Sequence, residues 1–161
     1  EIVERLLPLI HQNGDVARGK EVYTANCAVC HKFNDEGGNV GPDISDTRTQ
    51  TAEQLLIHIL DPNRVVDGNS FEYAVVDAEG RVHTGLITAE TASSVTLRQP
   101  EGKTRTFLRH DIEQLTSTGR SLMPEGFEKN ITPEQMADLI AYLKNWRYLD
   151  GSVPREVIGR Q

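Results

Sequence analysis

Cysteine is scarce in this sequence, and that scarcity excludes two common kinds of cysteine site. The 161 residues contain two cysteines, Cys27 and Cys30. Two cysteines cannot build a disulfide framework. A structural zinc site usually takes four Cys or His ligands in paired spacing, and the chain has neither a second C-x-x-C pair nor an H-x-x-x-H pair. The two thiols therefore need a different explanation.

Long apolar runs and excess positive charge are also missing. The densest apolar run, LLIHIL at 55–60, is far shorter than the roughly 18 residues of a membrane span. A net charge of −7 counts against nucleic acid and anionic membranes, and it favours a partner with a basic face. Because the chain starts at Glu1, we expect a mature secreted product or a piece of a longer protein.

What remains is the composition of one ordinary folded domain, 1–161. Hydrophobic residues make up 37% of the chain and charged residues 25%. Helical patterns lie near both ends, and Asp15, Thr51 and Thr132 are suitable N-caps for three of these helices. The apolar segment at about 2–11 predicts a short helix or a tether to an upstream domain.

The middle of the chain has a different pattern. From Phe71 to about Leu108 it is rich in Val, Thr, Ile and Tyr, with turn signals at Glu79–Gly80 and Glu101–Gly102. This predicts about four strands, with the sequences FEYAVVD, VHTGLIT, SVTLR and TRTFL, in an antiparallel meander. The expected fold class is therefore mainly α, with a small antiparallel β insertion at about 66–116.

The two cysteines belong to the segment TANCAVCHKF, where His31 follows Cys30 directly. A thioredoxin-like centre would follow a strand, whereas the residues before Cys27 have a helical pattern. C-x-x-C-H is instead the attachment signature of c-type haem. Two thiols at this spacing can each form a thioether with one porphyrin vinyl group, which leaves the adjacent imidazole beneath the iron. The motif predicts one covalently attached haem c with His31 as a metal ligand; a haem-free thiol module is the alternative.

Three stretches resemble the class I cytochromes c: GDVARGKEVYTANCAVCHKF, GGNVGPDI and DLIAYLKNW. The resemblance implies a helical class I fold whose first and last helices cross at Gly19, with Tyr23 and Tyr142 beside the crossing. It also implies that the Pro42 carbonyl accepts a hydrogen bond from the second ring nitrogen of His31, as partners of metal-bound imidazoles commonly do.

A second axial ligand is needed for fast and reversible electron transfer. Met136 lies on the apolar stripe of the last predicted helix, where a methionine is usually core. Met123 lies outside any periodic pattern, in the loop SLMPEGF. Class I cytochromes take their distal thioether from a loop before the final helix, so the resemblance implies Met123 as the second metal ligand. The histidine alternatives are His110 and His58, followed by His83 and His11.

The predicted β insertion departs from an ordinary class I cytochrome. With the stretches ILDPNRVV, GLITAETASSVTLR and SLMPEG, the chain resembles haem-binding domains of large bacterial periplasmic proteins, several of them predicted dehydrogenases. This implies a periplasmic or extracytoplasmic one-electron carrier, not itself an enzyme, that accepts electrons from a fused dehydrogenase domain or a redox partner. The alternative is a small-ligand sensor or peroxidatic haem protein whose sixth position is open.

Overall fold

The computed structural model describes residues 2–10, 14–47 and 49–148. Within these ranges a helical part is interrupted between its third and fourth helices by a five-stranded antiparallel sheet. The helices are α1 (Ile2–Ile10), α2 (Val16–Asn26), α3 (Ala52–Leu60) and α4 (Pro133–Asn145). A two-stranded ribbon of β1 (Lys32–Phe33) and β2 (Glu36–Gly37) lies between α2 and α3. The sheet contains β3 (Phe71–Asp77), β4 (Val82–Glu90), β5 (Ser94–Arg98), β6 (Thr104–Leu108) and β7 (Ile112–Ser121).

The helices begin at the capping residues that the sequence predicts. The Asp15 carboxylate accepts a hydrogen bond from the Arg18 N–H at 2.8 Å. Thr51 and Thr132 each begin a complete capping box, in which the threonine hydroxyl and a glutamine side chain three residues later bond each other's backbone N–H groups. These predictions are confirmed.

Helices α2 and α4 cross in close contact at Gly19. A Cβ atom at this position would lie 2.0 Å from the Asp138 carbonyl oxygen, so only glycine permits this approach of the two backbones. The rings of Tyr23 and Tyr142 pack beside the crossing with centroids 5.7 Å apart. The buried Asp138 carboxylate accepts hydrogen bonds from the Asp15 N–H and from the Arg18 guanidinium, which pairs its charge. The helix crossing implied by the resemblance is confirmed.

Helix α1 belongs to the helical core. Its Leu6 and Ile10 side chains are buried in the same hydrophobic cluster as the inner faces of α2, α3 and α4. The segment predicted as a helix or a tether is therefore a helix packed on the rest of the domain. Met136 is 0% exposed in this cluster, as its place on the apolar stripe predicts.

The sheet has its own small core. The strand order is β6-β5-β4-β3-β7, so four consecutive strands form a meander and β7 returns to pair with β3. Val75, Val95, Leu97 and Phe107 are buried together, separately from the helical cluster. Strands β3, β5 and β6 have the predicted bounds, and β4 extends two residues beyond its predicted end.

The expected mainly α class is wrong. The structure is 35% helical and 28% strand, and its sheet has five strands where about four were expected. The missing strand is β7, which carries the sheet on to Ser121, beyond the predicted limit near 116. Most of its residues are exposed and polar, so the sequence shows no apolar alternation there. This strand is determined by its pairing with β3 and not by a local sequence pattern.

Candidate haem-binding site

The C-x-x-C-H motif folds into a tight turn at the end of α2. The Cys27 N–H donates to the Tyr23 carbonyl at 2.8 Å and thereby continues the helical pattern past Asn26. The N–H groups of Cys30 and His31 then both donate to the Cys27 carbonyl, at 3.1 and 2.9 Å. Both cysteines are free and partly buried. The turn therefore keeps two unbridged thiols close to one imidazole.

The environment of the thiols is unlike that of a reactive cysteine. Burial, with the neighbouring Cys30 as a smaller cause, raises the pKa of Cys27 to about 11. Burial also raises the pKa of Cys30, and the carboxylate of Glu101 adds to this shift. Redox-active C-x-x-C sites have thiols with lowered pKa values. The two cysteines are suited to holding a group rather than to thiol exchange.

The His31 ring is fixed by two neighbours from the loop that follows the motif. Its Nδ1 lies 2.8 Å from the Pro42 carbonyl oxygen. Because a carbonyl can only accept a hydrogen bond, Nδ1 carries the proton and Nε2 presents its lone pair. A Cβ atom on Gly41 would lie 2.7 Å from the ring atom Cε1, so glycine leaves the space that the imidazole fills. Among the described residues no partner is found for Nε2.

Hydrogen bonds also fix the backbone around the histidine. The Tyr23 hydroxyl donates to the His31 carbonyl at 2.7 Å. Burial raises the pKa of the Tyr23 phenol far above its usual value, so this donor keeps its proton. The N–H groups of Val40 and Gly41 both donate to the Cys30 carbonyl at 2.9 Å, which folds the glycine-rich loop back over the motif.

Met123 lies in the loop between β7 and a short 3-10 helix, Phe127–Lys129. Its side chain is partly buried and packs against the helical core cluster, and its N–H donates to the Ser121 hydroxyl at 3.2 Å. The thioether thus sits where the loop meets the helical core.

The histidine alternatives have other surroundings. His58 is exposed on α3, and His110 is exposed beside Asp111. The His83 ring belongs to the sheet, where its Nε2 lies 2.9 Å from the Asp77 carboxylate. His11 lies outside the described residues. Within the part of the chain that the structure describes, no group of three or more His, Cys, Asp or Glu residues could hold a metal ion.

The turn between β5 and β6 contacts the motif, and the sequence analysis did not predict this contact. Cys30 Sγ lies 3.9 Å from the Pro100 carbonyl oxygen, in the turn between β5 and β6. The Arg98 guanidinium donates to the Asn39 carbonyl at 2.7 Å and fastens the same turn to the glycine-rich loop. These partners are 59 residues apart in sequence, and no local signal links them.

The residues of this site fit a covalently attached haem. They provide two unbridged thiols and one imidazole with a defined tautomer, and the glycine leaves room for the ring. The profile of the Cytochrome c family matches residues 16–147, which is most of the chain.

The chain belongs to the cytochrome c family. Membership implies a covalently attached c-type haem and haem-based electron transfer. Cytochrome c domains are typically extracytoplasmic. In the described part of this cytochrome c domain, no helix has the length and apolar character to cross a membrane. A search of curated proteins found no match for this cytochrome c domain.

Proposed function

We propose that this chain is a monohaem electron-transfer domain in which His31 and Met123 are the two axial ligands. The observation that carries the proposal is the fixed imidazole, whose Nδ1 is bonded to Pro42 while Nε2 has no partner among the described residues. Cys27 and Cys30 would hold the haem covalently. When bound, the haem supplies the one-electron couple, because its iron can be ferrous or ferric.

The residues of the chain perform three tasks in this proposal. The Pro42 carbonyl fixes the tautomer of His31 and raises its basicity as a ligand. The Met123 thioether is a soft ligand, which favours the ferrous state and therefore a positive reduction potential. The turn between β5 and β6 lies against Cys30 and would shield that side of a bound haem from water. A lower local dielectric then disfavours the more highly charged oxidation state.

We further propose that the domain is the electron-accepting module of a larger periplasmic, dehydrogenase-like protein. The support is the resemblance of three stretches, at 59–66, 85–98 and 121–126, to haem-binding domains of such proteins. The net charge of −7 favours a fused domain or partner with a basic docking face. Several exposed acidic residues lie on the motif loop and the adjacent turn: Asp35, Glu36, Asp43 and Glu101.

The far-red optical spectrum of the oxidised, haem-loaded protein tests the ligand set. The wild type should show a weak sulfur-to-iron charge-transfer band, which Met123→Ala should lose. Met136→Leu is the matched control, since this methionine is fully buried in the core and its replacement conserves volume. That variant should keep the band.

Ligand access separates electron transfer from the alternative function. The ferrous wild type should resist carbon monoxide, and Met123→Ala should bind it readily. A wild type that has no charge-transfer band and takes up carbon monoxide would instead be a sensor or peroxidatic haem protein with an open sixth position.

A further inference from the structure

The chain enters and leaves the sheet at one place, and a single side chain joins the two segments there. Helix α3 ends at Leu60, since Pro62 cannot continue it, and Asn63 lies in the turn that follows. The Asn63 Oδ1 accepts a hydrogen bond from the Ser121 N–H at 2.8 Å, across 58 residues of sequence. The Ser70 carbonyl accepts a second such bond from the Leu122 N–H at 3.2 Å.

The same asparagine also reaches the far end of the methionine loop. Its Nδ2 donates to Glu125 Oε1 at 2.6 Å. The other oxygen of Glu125 accepts from the Arg120 guanidinium at 3.1 Å. The loop SLMPEG is therefore tied to Asn63 two residues before Met123 and again two residues after it.

We propose that Asn63 is a positioning residue for Met123, a proposal that rests on the ligand set proposed above. By bonding both ends of the loop, Asn63 holds the thioether in one place against the helical core. It also joins the two chain segments that enter and leave the sheet, at residues 63 and 121, so that about 50 inserted residues can move without displacing the methionine. Bringing the two ends of so long an excursion together costs chain entropy, and the hydrogen bonds of Asn63 offset part of that cost.

The amide of Asn63 makes the two bonds with two different atoms. The Ser121 N–H requires an acceptor, while the carboxylate of Glu125 requires a donor, and asparagine provides one of each on a short side chain. The reversed amide would set its NH₂ group against the Ser121 N–H, so the network determines the orientation of Asn63. An aspartate at position 63 would keep the bond from the Ser121 N–H, but its carboxylate would face and repel the carboxylate of Glu125.

The test compares four variants of the haem-loaded protein by the far-red band and by carbon monoxide uptake in the ferrous state. Asn63→Ala loses both hydrogen bonds, and Asn63→Asp loses the bond to Glu125. The double variant Asn63→Asp with Glu125→Gln exchanges the donor and the acceptor and so restores the second bond. Asn69→Ala is the control, because that exposed side chain in the same linker makes no hydrogen bond within the described residues.

Asn63→Ala should shift the equilibrium from the ligated to the displaced loop by about tenfold to hundredfold, the effect of losing two hydrogen bonds of ordinary strength. The band should weaken, carbon monoxide uptake should rise by a similar factor, and amide exchange should increase at Ser121 and Leu122. Asn63→Asp should show the same changes to a smaller extent, the double variant should recover, and Asn69→Ala should match the wild type.

The outcomes distinguish this proposal from the ligand set on which it rests. If Met123→Ala loses the band but all Asn63 variants keep it and still resist carbon monoxide, Asn63 does not position Met123 and the ligand set stands. If the wild type has no band, both proposals are overturned. Should Asn63→Ala fail to fold, a double variant that is no better than Asn63→Asp alone overturns the positioning role.

Discussion

At the scale of single residues, Gly41 is the glycine of the site that lies directly against the His31 ring. Its missing side chain is the space occupied by the His31 ring, since a Cβ atom would lie 2.7 Å from Cε1 and 3.0 Å from Nδ1. Both distances are shorter than carbon and nitrogen atoms tolerate without displacement. A side chain at this position must therefore displace the imidazole or the adjacent backbone, which disturbs the bond between Nδ1 and the Pro42 carbonyl.

We expect Gly41→Ala to raise the reduction potential and to destabilise the protein. Loss of the hydrogen bond from Nδ1 makes the imidazole a less basic ligand, which stabilises the ferric state less. Overpacking at such a site costs about 1–3 kcal/mol of unfolding free energy. Potentiometric titration and denaturant unfolding of the haem-loaded protein measure the two effects.

Gly68→Ala is the matched control for this change. A Cβ atom at Gly68 would meet nothing within 4 Å, so the same substitution there should leave the potential unchanged and should not lower the stability. Equal behaviour of the two variants would show that the His31 ring does not depend on the space at Gly41.

The residues of the motif and those around it differ in how far a sequence can predict them. Cys27, Cys30 and His31 are adjacent in the chain, and their spacing alone indicates the chemistry. The contacts of Arg98 with Asn39 and of Asn63 with Ser121 join residues about 60 positions apart. These contacts arise from the packing of the sheet on the helical part, so no local pattern could reveal them. The role of Met123 stays a prediction.

At the scale of elements, local signals and long-range pairing had unequal predictive value. Strands β3, β5 and β6 have their predicted bounds because apolar alternation and glycine turns delimit them. Strand β7 has no apolar side chain from Thr116 to Arg120, and it is determined by its partner β3. Its omission contributed to the wrong fold class, although the four helices and the meander were predicted.

The end of β3 carries a buried carboxylate that makes the stability of the protein depend on pH. The Asp77 carboxylate is 3% exposed and accepts hydrogen bonds from His83 Nε2 and Arg81 Nε, both at 2.9 Å. The bond from His83, followed by those from Arg81, holds the pKa of Asp77 well below its usual range. A folded-state pKa below the unfolded value of about 3.9 means that this stabilisation is full at neutral pH. It is lost as the pH falls below about 4 towards the folded-state pKa.

We therefore expect Asp77→Asn to be less stable than the wild type at pH 7, with the difference shrinking as the pH is lowered from about 5 to 2. Urea unfolding followed by far-UV circular dichroism across that range measures it. Glu79→Gln is the control, since that carboxylate lies in the same turn but is exposed and pairs with Arg81 at the surface. A difference for Asp77→Asn that stays constant with pH would contradict the assignment of this charge.

At the scale of the whole molecule, the buried residues form two separate hydrophobic clusters, one in the helical part and one in the sheet. The helical cluster includes the residues that support His31 and Met123, whereas the sheet packs around its own four buried side chains. The two parts meet at the turn beside Cys30 and at the hydrogen bond between Asn63 and Ser121. The sheet therefore has a hydrophobic core of its own, separate from the cluster against which Met123 packs.

The charge of the whole chain predicts how it meets its redox partners. A net charge of −7 should attract a cationic partner and repel an anionic one, and salt screens both effects. The rate constant for oxidation of the reduced, haem-loaded protein by a cationic metal complex should fall about tenfold between roughly 10 and 150 mM salt. With an anionic complex of similar potential it should rise instead, and with a neutral complex it should stay constant. Stopped-flow absorbance gives all three rates. If the cationic complex reacts equally fast at both salt concentrations, the acidic surface does not steer electron transfer, and the proposed basic docking face loses its physical basis.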